Sequence, residues 1–274
     1  LSKPGTPDQY GNVWQYHSRS DRHSKVACWG ILFDLISHCR LLASHLERGV
    51  VGFGINHEMR DFKTGRKKDL DLVVCTPGTP DPRRSMTDTL RTLVDKDGIE
   101  LSDDEQAQLA RYPEVRRVPV GSVHLALEAK ACMTAHIKAL PRLHDELNSS
   151  HAAIHGASDS AIAAGFAMVN LADEFISPGK NKFDLAIQPA AVNRHKQPND
   201  AIRAIEKLRE IPRRTRPGED GFDALGIVVV RCRNDGSPVE IVETPPAPPP
   251  NDIFHYDAMV RRIAHQYESK FSNI

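Results

Sequence analysis

Short apolar runs bounded by turn-forming residues limit what this chain can become. Residues 50–55, 70–75 and 226–232 are each of strand length and almost wholly apolar, and residues 118–130 carry the same character over a longer span. Strands that are apolar throughout need cover on both faces, as in the interior of an α/β sheet. Residues 161–171 read as a further strand, with a buried helix as the alternative of equal length. Between these runs the apolar period changes. Cys28, Leu32, Leu35, Cys39, Leu42 and Leu46 form one helical stripe over residues 21–47 that Gly49 ends. The charged piece 60–68 joins the first two strands, so they are expected to pair antiparallel.

Further helices are expected at about 85–94, 102–111, 132–150 with a bend near Pro141, 200–210 and 255–270. Ser102 with Glu105 three residues on has the pattern of a capping box. The order helix, strand, strand, helical insertion, strand, helix, strand, strand predicts an α/β fold: a mixed β-sheet flanked by helices. The expected organisation is one domain over residues 1–243, with its core at about 21–171 and the insertion at about 77–115. A proline-rich spacer (244–254) and a C-terminal helix (255–274) follow it.

At 274 residues and 40% hydrophobic content the chain can bury a core without staples. Its 36 basic and 36 acidic residues cancel, so a polyanionic partner would have to be met by local patches. Five cysteines without a C-x-x-C pair suggest buried, reduced thiols and a cytoplasmic setting. No apolar run approaches the ~20 residues that cross a bilayer, so no membrane association is expected. The polar opening is not of signal-peptide type, and the missing initiator Met suggests a processed or trimmed start.

The chemistry concentrates at the end of the strand over 118–130. Glu128 and Lys130, two residues apart on a strand, project from one face about 7 Å apart along the backbone. Asp71 opens the apolar stretch Leu72-Val73-Val74, which a neighbouring strand could set beside Glu128. Two carboxylates and the Ala129 carbonyl are hard oxygen ligands suited to Mg2+, with Mn2+ able to substitute. Lys130 could then orient or deprotonate a water next to phosphate. Alone, E-x-K is a weak motif that also fits a solvated strand-end ion pair.

Asp71 followed by Glu128-x-Lys130 on an apolar strand, with a helix after it, resembles the PD-(D/E)XK nuclease superfamily, which includes many type II restriction endonucleases. The resemblance covers roughly residues 21–171. It implies a restriction-endonuclease-like fold and Mg2+-dependent hydrolysis of phosphodiester bonds in double-stranded DNA, the alternatives being a less sequence-specific nuclease of repair or antiphage defence and a non-cleaving nucleic-acid-binding protein of the same fold. It also implies an acidic metal pair, a lysine that activates water, and a homodimer. Leu70 stands where the family has proline, and the long span from Asp71 to Glu128 requires the helical insertion. Pro113-Glu114 has the usual spacing and makes Glu114 the rival acid.

Asp69 is expected to share Asp71's strand face, and Glu58, in the loop joining the first two strands, could join a metal site. Lys63, Arg66, Lys67 and Lys68 adjoin Asp71 and suit contacts to flanking phosphates, as do Arg213 and Arg214 farther on. His151 and His155 have the i, i+4 spacing of a metal pair but lack a third ligand. Met259, Ile263 and Tyr267 line the apolar face of the C-terminal helix, which either packs on its own domain or serves as a dimer element.

Overall fold

The computed structural model describes residues 3–62, 64–80 and 86–274. Its elements run α1 (Arg22–His38), α2 (Arg40–Glu47), β1 (Gly52–Arg60), β2 (Lys67–Pro77), α3 (Leu90–Asp97), α4 (Asp103–Arg111), β3 (Val120–Cys132), α5 (His136–Ala157), β4 (Ile162–Asn170), β5 (Glu174–Ile176), β6 (Val192–Arg194), α6 (Asn199–Arg209), β7 (Ala224–Arg231), β8 (Glu240–Val242) and α7 (Tyr256–Lys270). The architecture is α/β. A six-stranded sheet in the order β1-β2-β3-β4-β7-β8 is mixed: β3, β4 and β7 run parallel, and the other pairs are antiparallel. β5 and β6 form a separate two-stranded ribbon.

Each sheet face has its own apolar layer. On one side α1, α2 and α7 cover Leu72, Val74, Leu125, Leu127 and Ala129. On the other, α5 and α6 cover Leu70, Val73, Ala126, Ala163 and Ala167. β4 is buried at every position, which explains why its sequence shows no alternation. The 161–171 run is therefore a strand.

The expected single helix over 21–47 is two. The stripe is buried as expected, but α1 and α2 meet at 103°. Cys39 is the cause: its backbone is extended (φ −124°, ψ 96°) and its Sγ accepts the Leu42 amide, capping α2. Among the described residues no single helix is long and apolar enough to cross a membrane. The five cysteines are free and buried.

In the insertion α3 and α4 both carry capping boxes, Thr89 with Thr92 and Ser102 with Glu105. Position 85, where the first of these helices was expected to start, lies outside the described residues. α5 continues through Pro141 to Ala157, farther than expected.

The C-terminal stretch is part of the core. Met259, Val260, Ile263, Ala264 and Tyr267 of α7 are buried in the layer that contains α1 and α2. Burying a large apolar side chain stabilises a fold by about 1.5–3 kcal/mol, so this face is committed to its own chain and is not free to form a dimer. Gly226 permits the approach, since a Cβ there would lie 2.7 Å from Met259 Sδ. The proline-rich stretch is no free spacer either: Ala247 and Phe254 are buried, and the Phe254 carbonyl accepts the Ile227 amide at 2.8 Å.

β3 departs from strict alternation at one place. Its ladder with β2 shifts register around Cys75, and beyond that irregularity Val123 packs with the α5 layer while the His124 ring lies 4.7 Å from that of Phe271. Strict alternation would put Val123 with Leu125 and Leu127 and His124 with Ala126, and the structure exchanges the two.

Candidate active site

β2 and β3 part company beside Glu128. Their ladder runs as far as Leu72 opposite Leu127; one residue farther, Asp71 turns its carboxylate into the gap and Oδ2 accepts the Ala129 amide at 2.8 Å. A side chain has taken the place of the next ladder bond. On the other flank of β2, the pairing with β1 passes from Ile55–Leu72 to His57–Leu70 around Asn56, which has φ 51°. Asparagine tolerates this left-handed backbone better than most residues. Asp71 therefore sits at a break in both ladders. An extended residue presents its N–H and C=O to the same strand edge, so the Ala129 carbonyl faces the fork with its amide.

Glu128 points to the α5 side, opposite Gly165 on β4, and Lys130 is opposite Ala167. Gly165 itself makes way for a neighbour from β7, since a Cβ there would lie 2.7 Å from Leu225 Cδ1. Glu128 is 1% exposed and its Oε1 lies 2.6 Å from Lys130 Nζ and 3.5 Å from Lys68 Nζ. Its Oε2 is buried and has no hydrogen-bond partner among the described residues. Glu146 on α5 completes the group. Its carboxylate is 3.8 Å from Lys130 Nζ and accepts from Arg142 at 2.5 Å, and its backbone carbonyl accepts from Lys68 Nζ at 3.3 Å.

The electrostatics follow from this crowding. Burial raises the Glu128 pKa and nearby Asp71 raises it further, against the lowering effect of the two lysines. Burial would lower that of Lys130, but Glu128 beside it and Asp71 beyond hold it above its ordinary value. For Glu146 burial is outweighed by Arg142 and Lys130, which bring it down. His23 of α1 is depressed by burial, with Asp71 opposing.

Asp71, Glu128 and Lys130 are thus brought together, and Lys68 and Glu146 join them. Other candidates stand apart. Glu58 belongs to β1, not to a loop, because the strand continues to Arg60; it faces Asp69 across the ladder and pairs with Lys67 at 2.8 Å. Asp69 is exposed. Glu114 is exposed and paired with Arg116, outside the fork. Among the described residues no ion pair links Glu58, Asp69 or Glu114 to Glu128 or Lys130. Arg66 is exposed at the β1–β2 turn, and Lys63 lies outside the described residues. Lys68, expected to reach phosphate from a loop, is only 20% exposed and faces Glu128.

Arg214 is no DNA contact. It is 2% exposed, with Nε on Asp223 at 3.0 Å, Nη1 on Asp159 at 2.9 Å and Nη2 on the carbonyls of Asp159 and Ala161. These bonds use four of the five guanidinium donors, and burial keeps the group from reaching phosphate. Arg213 lies over the Phe254 ring, 5.4 Å from its centroid. His151 and His155 are not a metal pair: His151 packs against Phe222, and His155 Nε2 bonds the Gly221 carbonyl.

No cluster of three or more His, Cys, Asp or Glu side chains able to hold a metal occurs among the described residues. The donor set here is smaller: the Glu128 carboxylate with its unpartnered buried Oε2, the Asp71 carboxylate and the Ala129 carbonyl. Water and phosphate ordinarily complete the shell of Mg2+, which is held by one or two carboxylates. These residues fit such an ion. Protein-family models, curated proteins and solved structures yielded no match to the chain.

Proposed function

We propose that the protein is a Mg2+-dependent DNA endonuclease with a restriction-endonuclease-like fold of the PD-(D/E)XK type. The observation that carries this reading is the buried, unpartnered Glu128 Oε2 in a fork between strands, with Asp71 on one side and Lys130 on the other. A buried carboxylate oxygen without a donor is costly unless something positive reaches it.

In this reading Asp71, Glu128 and the Ala129 carbonyl hold the ion, and Mn2+ can replace it. When bound, it would supply charge stabilisation at the phosphate and lower the pKa of a water. Asp71 has a second task, since its bond to the Ala129 amide fixes the strand end that carries Glu128 and Lys130. Lys130, kept protonated by Glu128, enters the site as a cation and donor. It orients the attacking water and meets the charge that grows on the phosphate as the new P–O bond forms and the old one breaks. The attacking water gives up its proton to solvent as the new bond forms, and the leaving oxygen takes one from solvent. Duplex DNA is the substrate, and a homodimer cutting both strands would use a surface other than the buried face of α7.

Incubation with plasmid and phage DNA and Mg2+ or Mn2+ tests the reading. Discrete fragments are expected of a sequence-specific enzyme, and a smear of a less specific one. Cleavage should vanish in Glu128→Ala while the protein stays folded. Intact DNA with every divalent ion, or full activity in folded Glu128→Ala, would sink it.

A further inference from the structure

We infer that Lys68 is a positioning residue that holds Glu128 in the metal-free protein, so that the divalent ion loads tightly only together with a phosphodiester. The inference rests on the metal site proposed above and concerns what governs its occupancy.

The argument starts from charge. Three carboxylates, Asp71, Glu128 and Glu146, and three cations, Lys68, Lys130 and Arg142, gather here, Asp71 joined through the Ala129 amide and Arg142 at the exposed edge on Glu146. The group is neutral before any metal arrives. A divalent ion added alone would leave a partly buried site with two positive charges in excess, beside lysines that repel it at short range. A phosphodiester brings negative charge back and gives the lysines an alternative partner. Ion and phosphate should therefore bind with positive coupling, and the coupling must be reciprocal.

Geometry singles out Lys68 within this group. Two ammonium groups flank the same oxygen, Glu128 Oε1, at 2.6 and 3.5 Å. Only one can leave to meet substrate without abandoning a carboxylate that is 1% exposed. Lys68 is the one tied down, because its Nζ also donates to the Glu146 carbonyl on α5. It bridges β2, β3 and α5, whereas among the described residues Lys130 is bound only to carboxylates. Lys130 moves to the phosphate and Lys68 stays with Glu128.

The test is binding, with no turnover needed. Ca2+ affinity is measured by titration calorimetry for the wild type, Lys68→Met and Lys68→Arg, each with and without a short duplex. Wild type should bind Ca2+ at least tenfold more tightly with the duplex present. Lys68→Met, one cation poorer, should bind Ca2+ alone several-fold more tightly than wild type and show weaker coupling to DNA. Lys68→Arg should restore the wild-type pattern. If Lys68→Met does not fold, Lys68→Gln, which keeps a donor without the charge, should give the same result.

Equal Ca2+ affinity with and without duplex would overturn the inference, as would unchanged metal affinity in the Lys68→Met or Lys68→Gln variant. So would absence of Ca2+ binding under all conditions. The nuclease reading fails on a different result, namely no cleavage by wild type with Mg2+ or Mn2+. Coupled binding without cutting would leave the present inference standing while that reading falls.

Discussion

The pair Glu128–Lys130 can be weighed by a double-mutant cycle, and the outcome distinguishes a buried site from a solvated strand end. A solvated pair contributes at most about 1 kcal/mol. Removing one partner of a buried pair costs about 3–5 kcal/mol, because the other charge is stranded. Glu128 is 1% exposed, but Lys130 is 25% exposed and Lys68 stays 3.5 Å from the same oxygen, so the cost here should fall below that range. Lys130→Met keeps the aliphatic stem and is expected to lose about 2–3 kcal/mol. Glu128→Gln replaces a carboxylate whose ionised form burial already disfavours, so its stability should stay within about 1 kcal/mol of wild type. With the charge gone, Lys130→Met should cost about 1 kcal/mol in the Gln background, giving a coupling of about 1–2 kcal/mol. Urea denaturation at pH 7, with unchanged slope, reads each corner of the cycle. Additive effects, or a loss under about 0.5 kcal/mol in Lys130→Met alone, would refute the reasoning and return the pair to an ordinary surface contact.

Four more outcomes are expected. Lys130→Ala should cleave DNA at least ~100-fold more slowly at saturating metal and substrate, with little rescue by arginine, whose planar head does not reproduce an ammonium; steady-state rates check it. Asp71→Asn should abolish cleavage while Glu114→Gln leaves it unchanged, and the reverse result would reinstate the acid of the insertion. Arg214→Met should destabilise the fold by about 2–4 kcal/mol, below the full cost of a stranded charge because Lys270 stays 3.7 Å from the buried Asp223; an unchanged urea midpoint would contradict the structural role given to it. Burial depresses the pKa values of His45, His136 and His155, and that of His151 to about 4. Groups held below their unfolded value near 6.5 contribute stability above that pH and lose it as the pH falls towards 4, so Tm should drop across that window, and a flat Tm would count against it.

How much of this was legible in sequence depends on whether the signal is local. The apolar runs gave up the central strands because full burial leaves the same mark wherever the strand pairs, and Ser102 with Glu105 announced its own helix start. Glu128 and Lys130 were legible for the same reason: side chains two apart share a face on any regular strand. The bend at Cys39 was not, since no glycine or proline marks it and the thiol that caps α2 packs 3.8 Å from the Ala264 carbonyl of α7. The faces of Val123 and His124 are not legible either, because strict alternation assumes a regular ladder and the irregularity near Cys75 belongs to the pairing with β2. The same limit explains the errors about cations. Lys68 and Arg214 each stand in a basic run, and composition alone reads such a run as a surface for phosphate. What decides their fate is which carboxylate the fold delivers: Glu128 from β3 for one, Asp159 and Asp223 for the other. An amphipathic stripe has the same ambiguity, and α7 resolves it in favour of its own core. A sequence names the groups that must find a partner, and long-range topology chooses the partner. That is why the Glu-x-Lys pair could be read in advance, while Lys68, which closes the site from another strand, could not.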